Sequence, residues 1–216
     1  MKTTTSIILL VGALRMAETN SPAQGTLYFS NLGQPQAGSL SVGSDSWWAG
    51  GVLVGTNLFG YTLNSVQLTV SGTSGNPSGF KVMIYDSATS IPSIRSNIAT
   101  LVGNSNPTGD GVYTYTPATS VTLYHAFLYS IVVTADTPVG MGSYGWSYGN
   151  TSPPIQNDRW TYAWTRSSAN GVNWGPTSSG YLQFAINATA IPEPSALALV
   201  GLGCVLLLMR RWQNPS

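Results

Sequence analysis

Along most of this chain apolar residues recur at every second position, and that period admits strands rather than helices. Val66, Leu68 and Val70 alternate with Gln67 and Thr69, and Phe80, Val82 and Ile84 repeat the pattern. Successive side chains of a strand point to opposite faces, so each set reads as the buried face of a half-covered strand. Tyr113 and Tyr115 alternate with Thr114 and Thr116, between a Gly-Asp-Gly at 109–111 and Pro117. Leu128–Thr134 (LYSIVVT) is almost continuously apolar and β-branched, which predicts a central strand covered on both faces. Tyr144, Trp146 and Tyr148 share one strand face, and the same spacing predicts a shared face for Trp160, Tyr162 and Trp164. Leu182, Phe184 and Ile186 alternate with Gln183, Ala185 and Asn187 and predict the strand that closes the domain.

Between these segments stand turn formers: 72–79 reads GTSGNPSG, and another turn region runs over 86–92. No long segment before Ala196 carries the 3.6-residue apolar period of a helix. Short strands joined by such turns predict an all-β fold, an antiparallel β-sandwich of jelly-roll type, over residues 24–190. The immunoglobulin-like alternative is less favoured, because the Cys–Trp–Cys pattern of antibody-type domains is missing. Cys204 is the only cysteine and lies outside that range, so the domain has neither disulfide nor thiol chemistry.

Charged residues make up 7% of the chain, against roughly 25% in an ordinary soluble domain. Within 24–190 the bases Lys81, Arg95, Arg159 and Arg166 face Asp45, Asp86, Asp110, Asp136 and Asp158. That balance leaves no basic patch to hold nucleic acid.

Catalysis needs a positioned base, nucleophile or metal, and the residue inventory is poor in all three. His125 is the only histidine, in LYHAF at 123–127, and no Gly-x-Ser-x-Gly elbow accompanies it. One histidine and no cysteine within 24–190 exclude the ordinary ligand sets for zinc and iron there. Calcium needs only oxygen ligands, and Asn104, Asn106 and Asp110 in NSNPTGD are candidates; the competing reading is an Asx-rich turn that binds nothing. Hydrolysis of glycosides by paired carboxylates would need a close pair, and 24–190 contains no Glu. The expectation is no enzyme and no cofactor. The aromatic triplets Tyr144, Trp146, Tyr148 and Trp160, Tyr162, Trp164 are the remaining candidates: exposed, they would stack glycans, and buried, they would be the core. Asn150-Thr-Ser152 and Asn187-Ala-Thr189 match the N-glycosylation acceptor.

The ends differ from the middle. Lys2, the apolar run 7–14 (IILLVGAL) and small residues before Gln24 have the layout of a secretory signal peptide over 1–23, although Arg15 and Glu18 interrupt the usual neutral region. At the other end the uncharged run 196–209 falls short of the roughly 20 residues that cross a bilayer comfortably. It is closed by Arg210 and Arg211, and Pro192 and Pro194 stop a helix from running back into the domain. Basic residues on the outer side of both apolar runs leave Lys2 and the arginine pair in the cytoplasm and the middle outside.

Pro192-Glu193-Pro194, the short apolar segment and the terminal arginines over 191–216 resemble the PEP-CTERM sorting signal of exported bacterial proteins. That resemblance implies a membrane exosortase as processing partner, a short C-terminal transmembrane helix, and frequent association with extracellular polysaccharide. SLSVGSDSWW at 39–48, GYTLNSVQL at 60–68, IVVTA at 131–135 and LQFAINA at 182–188 resemble the choice-of-anchor domains, of the R type, which are secreted β-sandwich modules. The likeness breaks after Trp48, where AGGVLVG stands in place of a more polar segment. The sequence thus leads to an exported surface or matrix protein, membrane-anchored before processing, with a structural or adhesive role. A carbohydrate-binding module is the second reading and a hydrolase the third.

Overall fold

A computed structural model of the protein describes residues 25–87, 94–154 and 156–193. The predicted signal peptide, the apolar run 196–209, Pro194, Arg210, Arg211 and most of the turn predicted over 86–92 lie outside the described residues.

The described chain is all-β and antiparallel throughout, with no α-helix among the described residues. Its strands are β1 (Thr26–Ser30), β2 (Gly38–Val42), β3 (Trp47–Leu53), β4 (Tyr61–Gly75), β5 (Lys81–Ser87), β6 (Ile94–Val102) and β7 (Gly111–Pro117). They continue with β8 (Thr122–Leu123), β9 (Leu128–Thr134), β10 (Gly142–Gly149), β11 (Thr161–Ser168), β12 (Tyr181–Leu182) and β13 (Phe184–Ala190). The hydrogen-bonded path runs β1-β13-β4-β7-β6-β5-β9-β3-β11, so the sheet curls almost into a closed barrel. β6 and β7 join its halves through Leu101 opposite Pro117 and Val102 opposite Thr116. At the opposite seam β11 and β12 share no ladder; the Tyr162 hydroxyl instead accepts from the Leu182 N–H at 3.0 Å, and Thr165 Oγ1 donates to the Gly180 carbonyl at 2.5 Å.

The alternation read from the sequence places the inner face correctly. Val66, Leu68, Phe184 and Ile186 line the core from one half of the sheet, and Phe80, Val82 and Ile84 meet them with Val52, Ile131 and Val133 from the other. Every residue of β9 is buried, because a smaller outer cluster of Ala49, Met83, Ile94, Val132 and Trp164 covers its second face. Within β4 the inward set changes phase, from Tyr61 and Leu63 to Val66, Leu68 and Val70. A bulge absorbs the extra residue: Leu63 pairs with Ala188 and Ser65 with Asn187, leaving Asn64 between them.

Two expectations need correction. The segment 72–79 is not all turn, since β4 runs on to Gly75. β10 supplies the reason: Gly142, Ser143 and Tyr144 pair with Gly75, Ser74 and Thr73. Trp160, Tyr162 and Trp164 do not share a face either. A bulge pairs Tyr162 with Val52 but Trp164 with Gly51, so Tyr162 packs on the inner core and Trp164 joins the outer cluster. Gly51 is required there, because a Cβ on it would lie 2.5 Å from the Trp164 ring.

Trp146 is fully buried, donates its indole N–H to the Gln183 carbonyl at 3.0 Å and packs near Phe184. Trp146→Ala is expected to cost about 3–5 kcal/mol of unfolding free energy, by lost burial plus a cavity. The surface change Val102→Ala stays within about 0.5 kcal/mol; denaturant titration of both variants checks the contrast.

Candidate functional site: the pole where the chain enters and leaves

Antiparallel registers gather one set of strand ends at a single pole. Ala190, Tyr61 and Leu123 lie side by side, joining the end of β13, the start of β4 and the end of β8. Leu53, Leu128, Ser87 and Ile94 do the same for β3, β9, β5 and β6. β1 begins beside the end of β13, with Thr26 opposite Ala188. The described chain therefore enters and leaves at the same pole.

A polar clasp holds that exit. The loop 54–60 between β3 and β4 turns at Gly60, whose φ of 82° is left-handed and whose Cβ, were there one, would strike the Leu123 carbonyl. The Gly60 carbonyl accepts from the Ile191 N–H at 3.0 Å, and Asn57 Nδ2 donates to the Ile191 carbonyl at 3.1 Å. On the entering side Asn157 Nδ2 donates to the Leu27 carbonyl at 2.8 Å. Asn157 opens the 3-10 turn Asn157–Arg159, where Asp158 receives hydrogen bonds from the Thr56 hydroxyl at 2.5 Å and from the Tyr61 hydroxyl. The Tyr61 oxygen in turn accepts from the Asn57 N–H at 2.9 Å. Tyr28, Tyr61 and Trp160 pack beneath, with ring centroids 4.8 to 5.7 Å apart.

These contacts set two titrations. Burial, then the hydrogen bond to the Asp158 carboxylate, pushes the Tyr61 phenol up to about 12. Burial alone would raise the Asp158 carboxyl, but hydrogen bonds from Thr56 and Tyr61 outweigh it and hold that group below its ordinary range.

Beside the clasp, β8 and β9 are joined by a turn in which Ala126 has φ 58°. Its N–H donates to the Val54 carbonyl at 3.2 Å, and the Tyr124 N–H donates to the buried Tyr129 hydroxyl at 3.1 Å. The turn thereby leaves Tyr124 and Phe127 exposed, with ring centroids 6.3 Å apart. They edge an open groove of about 520 Å³ that also touches Asp86, Ile98, Thr119 and Thr122. Asp158 (φ 53°) and Arg159 (φ 61°) are left-handed as well, so all three non-glycine residues with positive φ among the described residues stand at this pole. Such a conformation costs roughly 1–2 kcal/mol at each residue with a Cβ. Strain kept in one place points to a functional constraint there.

The residues singled out from the sequence fall elsewhere or behave differently. Tyr144, Trp146 and Trp160 are fully buried, Trp164 nearly so, and Tyr148 and Tyr162 are half-buried against the core. Four of the six rings are therefore packing residues, and Tyr148 and Tyr162 lie partly covered against the same core. Asn104, Asn106 and Asp110 are engaged separately. Asn104 Oδ1 accepts from the Asn106 N–H at 2.9 Å as an Asx turn, Asn106 Oδ1 accepts from Gly79 and Tyr144, and Asp110 caps the Gly72 N–H. Among the described residues no three His, Cys, Asp or Glu side chains gather as a metal site. His125 lies half-buried in the Ala126 turn and makes no side-chain hydrogen bond among the described residues. Pro192 and Glu193 are exposed just past the clasp, directly after Ile191. Asn150 is exposed, whereas Asn187 lies within β13 and donates to Ser65 at 3.2 Å. No helix among the described residues is long and apolar enough to cross a membrane.

Sequence reasoning missed the pole because its parts, Thr56, Asn57, Tyr61, Tyr124, Phe127 and Asp158, are scattered along the chain and form no motif. The one local signal was the LYHAF stretch, where the exposed rings, not the histidine, are the distinctive groups.

Tyr61→Phe removes the hydroxyl shared by Asp158 and Asn57 and is expected to cost about 1 kcal/mol, the carboxylate being exposed to solvent. Because Tyr61 holds its proton more tightly when folded, its contribution is complete below the ordinary tyrosine value and fades as pH climbs through about 12. Denaturant midpoints of wild type and Tyr61→Phe across alkaline pH should show a shallower decline in the variant. The chain matches no family model, no curated protein and no solved structure.

Proposed function

We propose that this protein is an exported surface or matrix component with a structural or adhesive role, anchored in the membrane by its C-terminal segment until an exosortase-type enzyme processes it. The observation that supports this reading is the common exit: β1 begins beside the end of β13, so the leader-like and tail-like segments both depart from one pole. A domain hung by such a pole stands with its other end away from the bilayer. The exposed Pro192 and Glu193 follow the clasp directly, which suits a processing site that must enter an enzyme while the domain stays folded. A body with few charges, and with no three His, Cys, Asp or Glu side chains gathered among its described residues, fits a role in assembly better than in turnover. We read the curled sheet as a sandwich of jelly-roll type, its two halves meeting across the core.

Two measurements test the reading. Protease added to intact cells should degrade the body, and the mature protein should have lost residues before Gln24 and residues beyond Pro192. Full-length protein confined to the cytosol would overturn it.

A further inference from the structure

Exposed apolar side chains are concentrated where the chain leaves the fold. Leu58 (66% exposed) and Phe59 (41%) sit in the clasp loop, and Tyr124 (57%) and Phe127 (53%) in the neighbouring turn. All four are held outward by tied backbone: Gly60 and Asn57 fix the first pair, and Ala126 and the Tyr129 hydroxyl fix the second. Two arginines accompany them. Arg159 follows Asp158 in the 3-10 turn and Arg95 is the second residue of β6; both are exposed. Among the described residues the only ion pair is Lys81 with Asp136, near the opposite pole, so neither arginine has a carboxylate partner. Of the nearby acids, Asp158 is engaged by Thr56 and Tyr61, and Asp86 by the Ser96 N–H and hydroxyl, both at 2.8 Å, while Glu193 stands exposed just past the clasp.

We propose that this pole is a lipid-contacting face that seats the domain on the bilayer surface, with the four apolar side chains at the headgroup boundary and Arg95 and Arg159 toward lipid phosphates. The proposal rests on the reading that the tail enters a membrane. Aromatic and leucine side chains flanked by arginine are the composition that lies in a membrane interface. The chain outside the described residues supports this occupant. Ile191 is fixed in the clasp and the uncharged run begins at 196, so even fully extended chain keeps the pole within roughly 18 Å of that run. A glycan lying in the groove would meet Tyr124 and Phe127 but would leave Leu58 and Phe59, in a different loop, without a role.

The test uses the full chain reconstituted into vesicles of phosphatidylcholine and phosphatidylglycerol that contain a nitroxide-bearing lipid. Cys204→Ser removes the native thiol; Phe59→Cys, Tyr124→Cys or Val172→Cys then places one fluorophore, and a fourth sample is labelled at native Cys204. Val172 serves as reference because it is exposed in the loop after the far end of β11. Labels at 59 and 124 should be quenched several-fold more than the label at 172, and circular dichroism should report the same strand content in every variant. If the label at 204 is quenched while 59 and 124 match 172, the tail reading stands and this proposal falls. If 204 is unquenched and 59 and 124 are quenched, the pole contacts lipid and the tail reading falls. No quenching at any position overturns both. A response of the 124 label to dextran, with no lipid quenching at 59, would assign the pole to a glycan and overturn the proposal.

Discussion

Four strands take their register directly from β4. Its 15 residues pair in succession with β8 and β13, then β7, then β10, so one strand joins the exit pole to the far end of the fold. A slip of one residue would turn Val66, Leu68 and Val70 to solvent and carry Tyr61 away from Asp158. The bulge at Asn64 reconciles two demands on the strand: Tyr61 must point inward to reach the clasp, and Val66 must point inward to meet the core. Without that extra residue one of the two would face outward. Core and clasp are therefore coupled through a single backbone.

With no disulfide in the body and one exposed ion pair among the described residues, burial of aromatic and branched side chains carries the stability. The rings are spread over both halves of the sheet: Phe29, Phe184 and Tyr162 form one group, Phe80, Tyr115 and Tyr144 another. Their polar atoms are satisfied at the edge of the core, as when Tyr115 donates to the Asn104 carbonyl at 2.9 Å and Tyr144 to Asn106 at 3.0 Å. The Asn-rich turn that resembled a cation site is in this way a seat for two core tyrosines. Asn31 plays a similar part from within: its amide bridges the Leu182 carbonyl and the Phe184 N–H, both at 2.8 Å, across the break between β12 and β13.

The exit pole is built to a different rule. Elsewhere among the described residues only glycines take left-handed positions, but here Ala126, Asp158 and Arg159 do so alongside Gly60, and the hydrogen bonds around them hold the conformation against its cost. The same loops leave rings and leucine in solvent while the domain buries larger aromatic residues completely. An apolar surface maintained by strained turns is costly unless something covers it, and in this fold it lies at the exit pole and not along the aromatic strands.

Strand character, the inward set of most strands and the two-sided covering of β9 were legible in the sequence, because side-chain alternation is a local consequence of extended backbone. Turn composition likewise marked both ends of β7 and the stretch just after Gly75. β1, β2, β3, β6 and β8 escaped notice: β3 contains Gly50 and Gly51, and β6 mixes Arg95, Ser96 and Asn97 into its run, so neither of these two alternates cleanly. Bulges were invisible for a related reason. One inserted residue at Ala163 reverses the facing of Trp164, and only the partner strand reveals it. What the tertiary structure alone decided was which polar groups meet. Asp158 and Tyr61 are 97 positions apart, and Asn57 and Ile191 are 134 apart. Long-range pairing of this kind follows from how antiparallel strands close upon one another, and no local pattern of residues encodes it.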